Sequence, residues 1–316
     1  MKVATWHMIS NFKFQISTMG TLFVILGPTG VGKTEISLRV AEELGCAIIS
    51  SDSRQIYRET KIGTAAPTEA ELARVKHHFI GTRSITEHYS SGQYELDALP
   101  IIEEEIARCG SALLVGGSML YIDAICRGID DIPTILPEVR QNVIDLYNEV
   151  GIEGLRAQLQ LLDPVHYTRV DLANAKRIMH ALEVCIQTGR PFSELHTGQA
   201  KKRPFNIVKI GLNREREELY DRINRRVWQM IDDGLEDEAR ELYPQRELNA
   251  LNTVGYKEMF NYFDGTWTRD FAIQMIQQNS RRYAKKQLTW FNRDPEIHWF
   301  HPNAMDQVLE LVKTTT

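Results

Sequence analysis

Short, uninterrupted apolar runs alternate along the chain with longer stretches in which apolar residues recur every three or four positions. The first run, residues 22–26 (Leu-Phe-Val-Ile-Leu), leads through a glycine-rich segment into Glu-Ile-Ser-Leu-Arg-Val-Ala at 35–41. That pattern predicts a strand buried on both faces, a turn and an amphipathic helix. Residues 46–50 read as a short strand, and residues 91–108 as a helix with Leu96, Leu99, Ile102 and Ile106 at helical spacing. Residues 112–115 read as a further buried strand, and 77–80 as a strand edge whose two histidines are structural. From about 130 to 198 the strand-like runs vanish, with Pro133 and Pro137 at the border. Helices are expected there over 137–150, 152–162 and 172–188, the last capped by Asp171 and stopped by Gly189. Strand texture returns at 205–212. Helices over 214–231 and 234–243 follow, then a loop at 252–258 that runs into another helix.

This alternation defines an α/β class with a mostly parallel sheet flanked by helices. The helical stretch 133–198 is expected as an inserted all-helical subdomain, leaving 19–132 and 199–316 to form the catalytic domain. Residues 1–18 mix Trp6, Phe12 and Phe14 with polar residues without a clean period. They are expected to lie outside the fold, as a loosely ordered or non-native extension, with Met19 a candidate start.

Composition narrows the class. The 316 residues are 43% hydrophobic and 25% charged, an ordinary balance for a soluble globular protein. No apolar run approaches the roughly 20 residues of a membrane span. Cys46, Cys109, Cys126 and Cys185 stand far apart. They read as reduced thiols of a cytoplasmic protein, neither a zinc site nor a disulfide framework. The net charge of −5 argues against nucleic-acid binding by the whole surface, so local charge must decide.

Residues 27–34, Gly-Pro-Thr-Gly-Val-Gly-Lys-Thr, fit the phosphate-binding loop between a strand and a helix. The glycines let backbone N–H groups curl around an anion, and the helix N-terminus adds its positive dipole end. Gly27, Thr29, Gly30, Val31, Gly32, Lys33 and Thr34 are therefore the expected diphosphate-binding residues. Lys33 would reach the outer phosphate and Thr34 would offer its hydroxyl to Mg²⁺. In an open α/β sheet, ligands bind outside the carboxyl ends of strands, which places Asp52 and Gln55 on the same rim. Asp52 reads equally well as a helix cap or a catalytic carboxylate. Gly116, Gly117 and Ser118 follow a strand, where close backbone approach to a ligand or a tight turn would each need glycine.

Positive charge is concentrated at Lys176–Arg177, at Arg222, Arg225 and Arg226, and above all over 281–293, with five cations and no acid. On a helix, Arg281/Lys285 and Arg282/Lys286 stack at i, i+4 and repel unless an anion faces them. With Tyr283 and Trp290 interleaved, this favours a phosphate backbone over a solvated face.

Taken together, GPTGVGKT, DSRQIY, GTAAP, VGGSMLY, the Arg222–Arg226 helix with its following M-I-x-x-G-L-x-x-E, VGYKE and RRYAKKQLTWFNR closely resemble the bacterial tRNA dimethylallyltransferases, in the same order over most of the chain. The resemblance implies a P-loop NTPase-like fold and transfer of a dimethylallyl group from dimethylallyl diphosphate to N6 of adenosine-37 of tRNA, with Mg²⁺, by a cytoplasmic monomer. It implies Asp52 as general base, with Ser118 and Arg226 catalytic, Ser118 standing where the family has threonine. It assigns tRNA contacts to Asp52, Ser53, Arg54, Gln55, Ser118, Arg140, Lys176, Arg177, His180, Val254, Gly255, Tyr256, Lys257, Lys285, Lys286, Gln287 and Trp290. Two departures stand out: Asn-Ala-Lys-Arg at 174–177 for N-P-Q-R, and an acid, Glu258, where the family has a neutral amide. The rival readings are a small-molecule P-loop kinase, isoprenyl transfer to free AMP, and a non-enzymatic RNA-binding protein with a degenerate loop. A GTPase lacks its N-K-x-D motif here.

Overall fold

The computed structural model describes residues 19–316, and the expected extension at 1–18 lies outside the described residues. The chain forms two units. One runs as far as Ile122 and resumes as Arg203–Thr316; the other is Asp123–Lys202, wider than the expected 133–198.

The larger unit opens with β1 (Thr21–Leu26), α1 (Lys33–Leu44), β2 (Ile48–Ser51), α2 (Glu69–Arg74), β3 (His77–His78), α3 (Ser91–Cys109) and β4 (Ser111–Gly116). The division between the units falls within α4 (Met119–Cys126). The helical unit then carries α5 (Pro137–Leu162), α6 (Pro164–Tyr167), α7 (Ala175–Thr188) and α8 (Phe192–Leu195). The larger unit resumes with β5 (Asn206–Leu212), α9 (Arg216–Asp232), α10 (Leu235–Leu242), α11 (Tyr256–Phe263), α12 (Arg269–Phe291), β6 (Ile297–Phe300) and α13 (Met305–Thr315).

Among the described residues six strands form one parallel sheet, in the order β3-β2-β4-β1-β5-β6. β1 sits between β4 and β5 and every residue of it is buried, which is why its sequence shows no alternation. Phe23, Ile25, Leu38, Leu113, Ile210 and Leu219 share one core cluster with Val308 and Val312 of α13. β6 and α13 are not among the expected elements. β6 is four residues long and includes His298, too short for a periodic signal; its parallel register with β5 (Lys209 opposite Ile297) closes that side of the sheet.

α3 corrects one predicted face. Leu96 is 68% exposed, and the buried side is Tyr94, Glu95, Ala98, Ile102 and Glu105. The carboxylate of Glu105 explains part of the shift, because it accepts from the Ala47 N–H at 2.8 Å and is held by Arg108. A buried acid with such partners outweighs a leucine's preference for the core.

In the helical unit, α5 and α7 bury Val143, Leu155, Leu159, Ile178, Ala181 and Leu182 against each other. The two helices expected over 137–150 and 152–162 are the two halves of α5, parted at Gly151, whose φ of 64° ends the first helical path. Asn174, not Asp171, caps α7 by accepting from the Arg177 N–H; Asp171 serves the Ala173 N–H one turn earlier. Gly189 ends the helix in the left-handed region, as expected. Ile186 is exposed, so the buried side of α7 runs through Ile178 and Leu182 without it.

Candidate active site

β1 ends at Leu26, and the loop that follows turns on three glycines with positive φ: Gly27 at 150°, Gly30 at 78° and Gly32 at 103°. A Cβ at Gly27 would stand 2.5 Å from the Leu212 carbonyl oxygen, so only glycine lets β1 and β5 diverge there. Two of the loop's N–H groups are engaged within the protein, one inside the loop and one by α12. Val31 donates to the Pro28 carbonyl at 3.3 Å, and Thr29 donates to Oε1 of Gln287 at 2.9 Å. Those of Gly30, Gly32, Lys33 and Thr34 remain at the start of α1, where the first N–H groups of a helix have no intrahelical partner. Of the expected residues 27–34, Thr29, Gly30, Gly32, Lys33 and Thr34 line the adjoining cavity, while Gly27 and Val31 do not.

Arginines hold the loop from outside. Arg214 Nε donates to the Val31 carbonyl at 2.8 Å and Arg222 Nε to the Gly30 carbonyl at 3.0 Å. With carbonyls tied outward, the remaining N–H groups keep an inward direction. Arg226 reaches Thr29 Oγ1 at 3.4 Å. Lys33 Nζ lies over the loop and donates to the carbonyls of Gly27 and Pro28 at 2.9 and 3.0 Å.

Lys33, Asp52 and Arg226 line one cavity of about 970 Å³. Burial lowers the Lys33 ammonium from 10.5 to about 8, with Asp52 opposing and Arg226 adding to the fall. Burial likewise holds Arg226 below its ordinary value, with Asp52 again opposing. The lining sets Lys33, Lys61, Arg222, Arg225 and Arg226 against Asp52, Glu71 and Asp233, an excess of positive charge that favours a polyanion there. The rest of the lining includes Ile62, Ala65, Ala66, Pro67, Ile80 and Met230, an apolar wall beside the charged one.

Asp52 closes a turn, not the helix that a cap would need, and lines the cavity at once. Oδ1 accepts from the N–H groups of Arg54 at 2.9 Å and Gln55 at 3.3 Å. Among the described residues no donor reaches Oδ2. The local turn thus fixes the carboxylate's direction while leaving one oxygen available as a proton acceptor.

Thr34 is exposed on the cavity wall. The described residues hold no group of three His, Cys, Asp or Glu able to bind a metal. The Thr34 hydroxyl is the kind of single protein oxygen that Mg²⁺ takes beside phosphate oxygens and water.

Several expected contacts take other places. Gln287 is 2% exposed and both ends of its amide are engaged, Oε1 as above and Nε2 donating to the Gly117 carbonyl at 2.8 Å. It is not a surface RNA contact. Tyr256 is wholly buried, and its hydroxyl donates to Glu238 Oε1 at 2.6 Å. Gly255 is also buried, which leaves Val254 and exposed Lys257 as the accessible part of that segment. Ser118 is buried; its Oγ accepts from the Ser53 N–H at 2.8 Å and donates to Ser53 Oγ at 3.0 Å. It supports the loop that carries Asp52 and does not line the cavity. Gln55 donates both amide hydrogens to the carbonyls of Thr64 and Ala65, leaving only its oxygen to read a base. Arg54 is held by the carbonyls of Asn249 and Ala250.

On the helical unit, Lys176 and Arg177 are exposed at the start of α7. Arg140 and His180 are exposed too, yet both turn to buried Glu183, each at 3.4 Å. On α12, Arg282, Lys285 and Lys286 are exposed and Trp290 is half-buried. Among the described residues, none of Arg281, Arg282, Lys285 and Lys286 forms an ion pair with a carboxylate. Arg281 and Arg282 bond the neutral side chains of Asn224 and Asn279.

Glu238 is a residue whose role sequence reasoning missed. Its carboxylate accepts from three consecutive N–H groups, those of Lys61, Ile62 and Gly63, at 2.8–2.9 Å, and from Tyr256. It fastens the 61–67 loop that walls the cavity. Glu258, the acid that departs from the family pattern, is also structural. It caps α11 through the Gly255 N–H and accepts from Asn279 Nδ2, both at 2.8 Å.

Fold and cavity together define a P-loop α/β protein whose nucleotide-type loop shares a cavity with a carboxylate. The family model for IPP transferase matches residues 55–294. A Bacteroides fragilis protein named tRNA dimethylallyltransferase 1 is 55% identical over 298 residues, covering 94% of this chain and 99% of the relative. A Porphyromonas gingivalis protein named tRNA dimethylallyltransferase 2 is 60% identical over 284 residues, 90% of this chain and 95% of the relative. The crystal structure of the full-length tRNA isopentenylpyrophosphate transferase of Bacillus halodurans superposes with a TM-score of 0.68 at 36% identity, covering 94% of this chain and 95% of that one. The chain belongs to the IPP transferase family.

Proposed function

We propose that the protein transfers a dimethylallyl group from dimethylallyl diphosphate to N6 of adenosine-37 in tRNA, releasing diphosphate. The observation that carries this reading is that Lys33, Arg226 and Asp52 line one cavity together. The unused N–H groups of Gly30, Gly32, Lys33 and Thr34, with Lys33 and Arg226, would bind the diphosphate. Their charge counts most when the C–O bond breaks and its electron pair moves onto the leaving group. Mg²⁺ at Thr34 would neutralise further charge on the same oxygens. The adenine amine is a weak nucleophile, because its lone pair is delocalised into the ring. As the new C1–N6 bond forms, Asp52 Oδ2 takes the N6 proton and N6 stays neutral. The target base must leave its stack to reach the cavity, and the unpaired cations of α12 with Lys176 and Arg177 supply phosphate contacts for the RNA. The RNA substrate puts the protein's work in the cytoplasm.

The test uses labelled dimethylallyl diphosphate and Mg²⁺ with either tRNA or AMP as acceptor. Label should enter tRNA and not AMP. Label in AMP alone, or phosphoryl transfer from ATP to a small acceptor, would replace this reading.

A further inference from the structure

The ladder between β1 and β4 stops at Leu26 opposite Gly116. Beyond that pair the chains part, one into the phosphate-binding loop and the other into the Gly117–Ser118 turn. The side-chain amide of Gln287 stands in the opening. It accepts from the Thr29 N–H and donates to the Gly117 carbonyl, at 2.9 and 2.8 Å. This is what a backbone peptide group would do between two strands, supplied from α12 across 258 and 170 residues of sequence. Gly117 makes the room, since a Cβ there would lie 2.4 Å from Gln287 Nε2. One helical turn earlier on the same side of α12, Tyr283 lines the same cavity as Asp52, and Ser118 Oγ holds the Asp52 loop through the Ser53 N–H.

We propose that Gln287 is a positioning residue that fixes the phosphate-binding loop relative to the turn supporting Asp52, and so sets the separation between leaving group and acceptor base. This rests on the prenyl-transfer reading. A misplacement of about 1 Å at a reacting centre can cost about 100-fold in rate, so a joint of this kind acts on kcat more than on either KM. Only a group that both accepts and donates fills the position. Methionine matches the length and does neither. A glutamate accepts from Thr29 but donates to Gly117 only when protonated, in a cavity it would share with Lys33, Asp52, Arg226 and Tyr283.

The experiment compares wild type with Gln287→Met and Gln287→Glu. It measures single-turnover transfer to an anticodon stem-loop, KM for both substrates, thermal melting, and hydrogen exchange at the Thr29 amide. Gln287→Met should lower kcat about 10- to 100-fold, shift each KM less than about threefold, and speed Thr29 exchange. Gln287→Glu should show the same loss at pH 8 and recover part of it towards pH 6, a recovery absent from wild type. Gly117→Ala should add little to Gln287→Met, because the two break one joint. A folded Gln287→Met with wild-type kcat would overturn the proposal. So would a loss confined to KM for RNA, which would return Gln287 to the RNA surface. Should wild type transfer nothing while Gln287→Met still speeds Thr29 exchange, the prenyl-transfer reading falls and the joint itself stands; unchanged Thr29 exchange removes the joint whatever the activity.

Discussion

Lys33 offers the sharpest quantitative test of the cavity's electrostatics. Its ammonium falls from 10.5 to about 8 because burial strips its water and Arg226 repels it, against the attraction of Asp52. At ~1.4 kcal/mol per tenfold change, the charge is worth about 3 kcal/mol less in the site than in water. A bound diphosphate reverses the balance by placing negative charge beside the amine. If the bound lysine regains its ordinary value, binding at pH 9 takes up about 0.9 proton, and affinity at pH 9 is about tenfold below that at pH 7. The donor's own phosphate protons leave near pH 6, outside this window. Calorimetry of dimethylallyl diphosphate binding at pH 9, in two buffers of different ionisation enthalpy, counts the protons. Lys33→Met should abolish the uptake along with most of the affinity. The sign for stability runs the other way. A folded value below the unfolded one means a charge penalty that is full below pH 8 and relieved as pH rises towards 10.5. Unliganded Lys33→Met should therefore melt higher than wild type at pH 7, with the gap closing towards pH 10. Equal proton uptake by wild type and Lys33→Met, or none by wild type, would refute the account of the cavity.

Other consequences are as direct. Asp52→Asn keeps the Oδ1 turn with Arg54 and Gln55 but removes the base; kcat should fall about 10²- to 10⁴-fold with RNA affinity unchanged in a filter-binding assay, and near-normal turnover would dismiss Asp52 as the base. Neutralising Lys285 and Lys286 together should flatten the slope of log K against log salt by about 1.4, at roughly 0.7 per single-strand phosphate; an unchanged slope would make them solvated bystanders. Glu238→Gln leaves at least one of three backbone donors without an acceptor, and should cost about 1–3 kcal/mol in denaturant unfolding and accelerate exchange at Lys61, Ile62 and Gly63. Leu155→Ala between α5 and α7 should destabilise by about 2–5 kcal/mol, measured as a fall in the melting of the helical unit.

Local signals in the sequence were reliable where structure depends on neighbours. The strand 22–26, the glycines of the loop and the Gly189 stop all follow from residues within a turn of each other, and each stands where expected. Asp52 was legible as either cap or catalytic carboxylate; its Oδ1 closes a turn through the Arg54 and Gln55 N–H groups, with no helix there to cap. Long-range polar partnerships were not legible. Gln287 reads as one more polar residue on a basic helix, because its partners are Thr29 and Gly117 on the far side of the sequence. Tyr256 and Glu238 meet through a buried hydroxyl, which no periodicity announces. The same holds for Glu105, whose hydrogen bond to the Ala47 N–H helps turn α3 away from the face that Leu96 suggested. Motif resemblance marked Gln287 and Tyr256 as functional without saying whether they touch a ligand or hold what does.

The central claim is that one cavity joins a diphosphate cradle to a base positioned for an RNA amine. The most direct measurement is nucleoside mapping of tRNA after reaction with isotopically labelled dimethylallyl diphosphate and Mg²⁺. The account predicts N6-dimethylallyladenosine at position 37, formed one-to-one with released diphosphate, and none from Asp52→Asn. Label at another position, or product at the wild-type rate from Asp52→Asn, would contradict it.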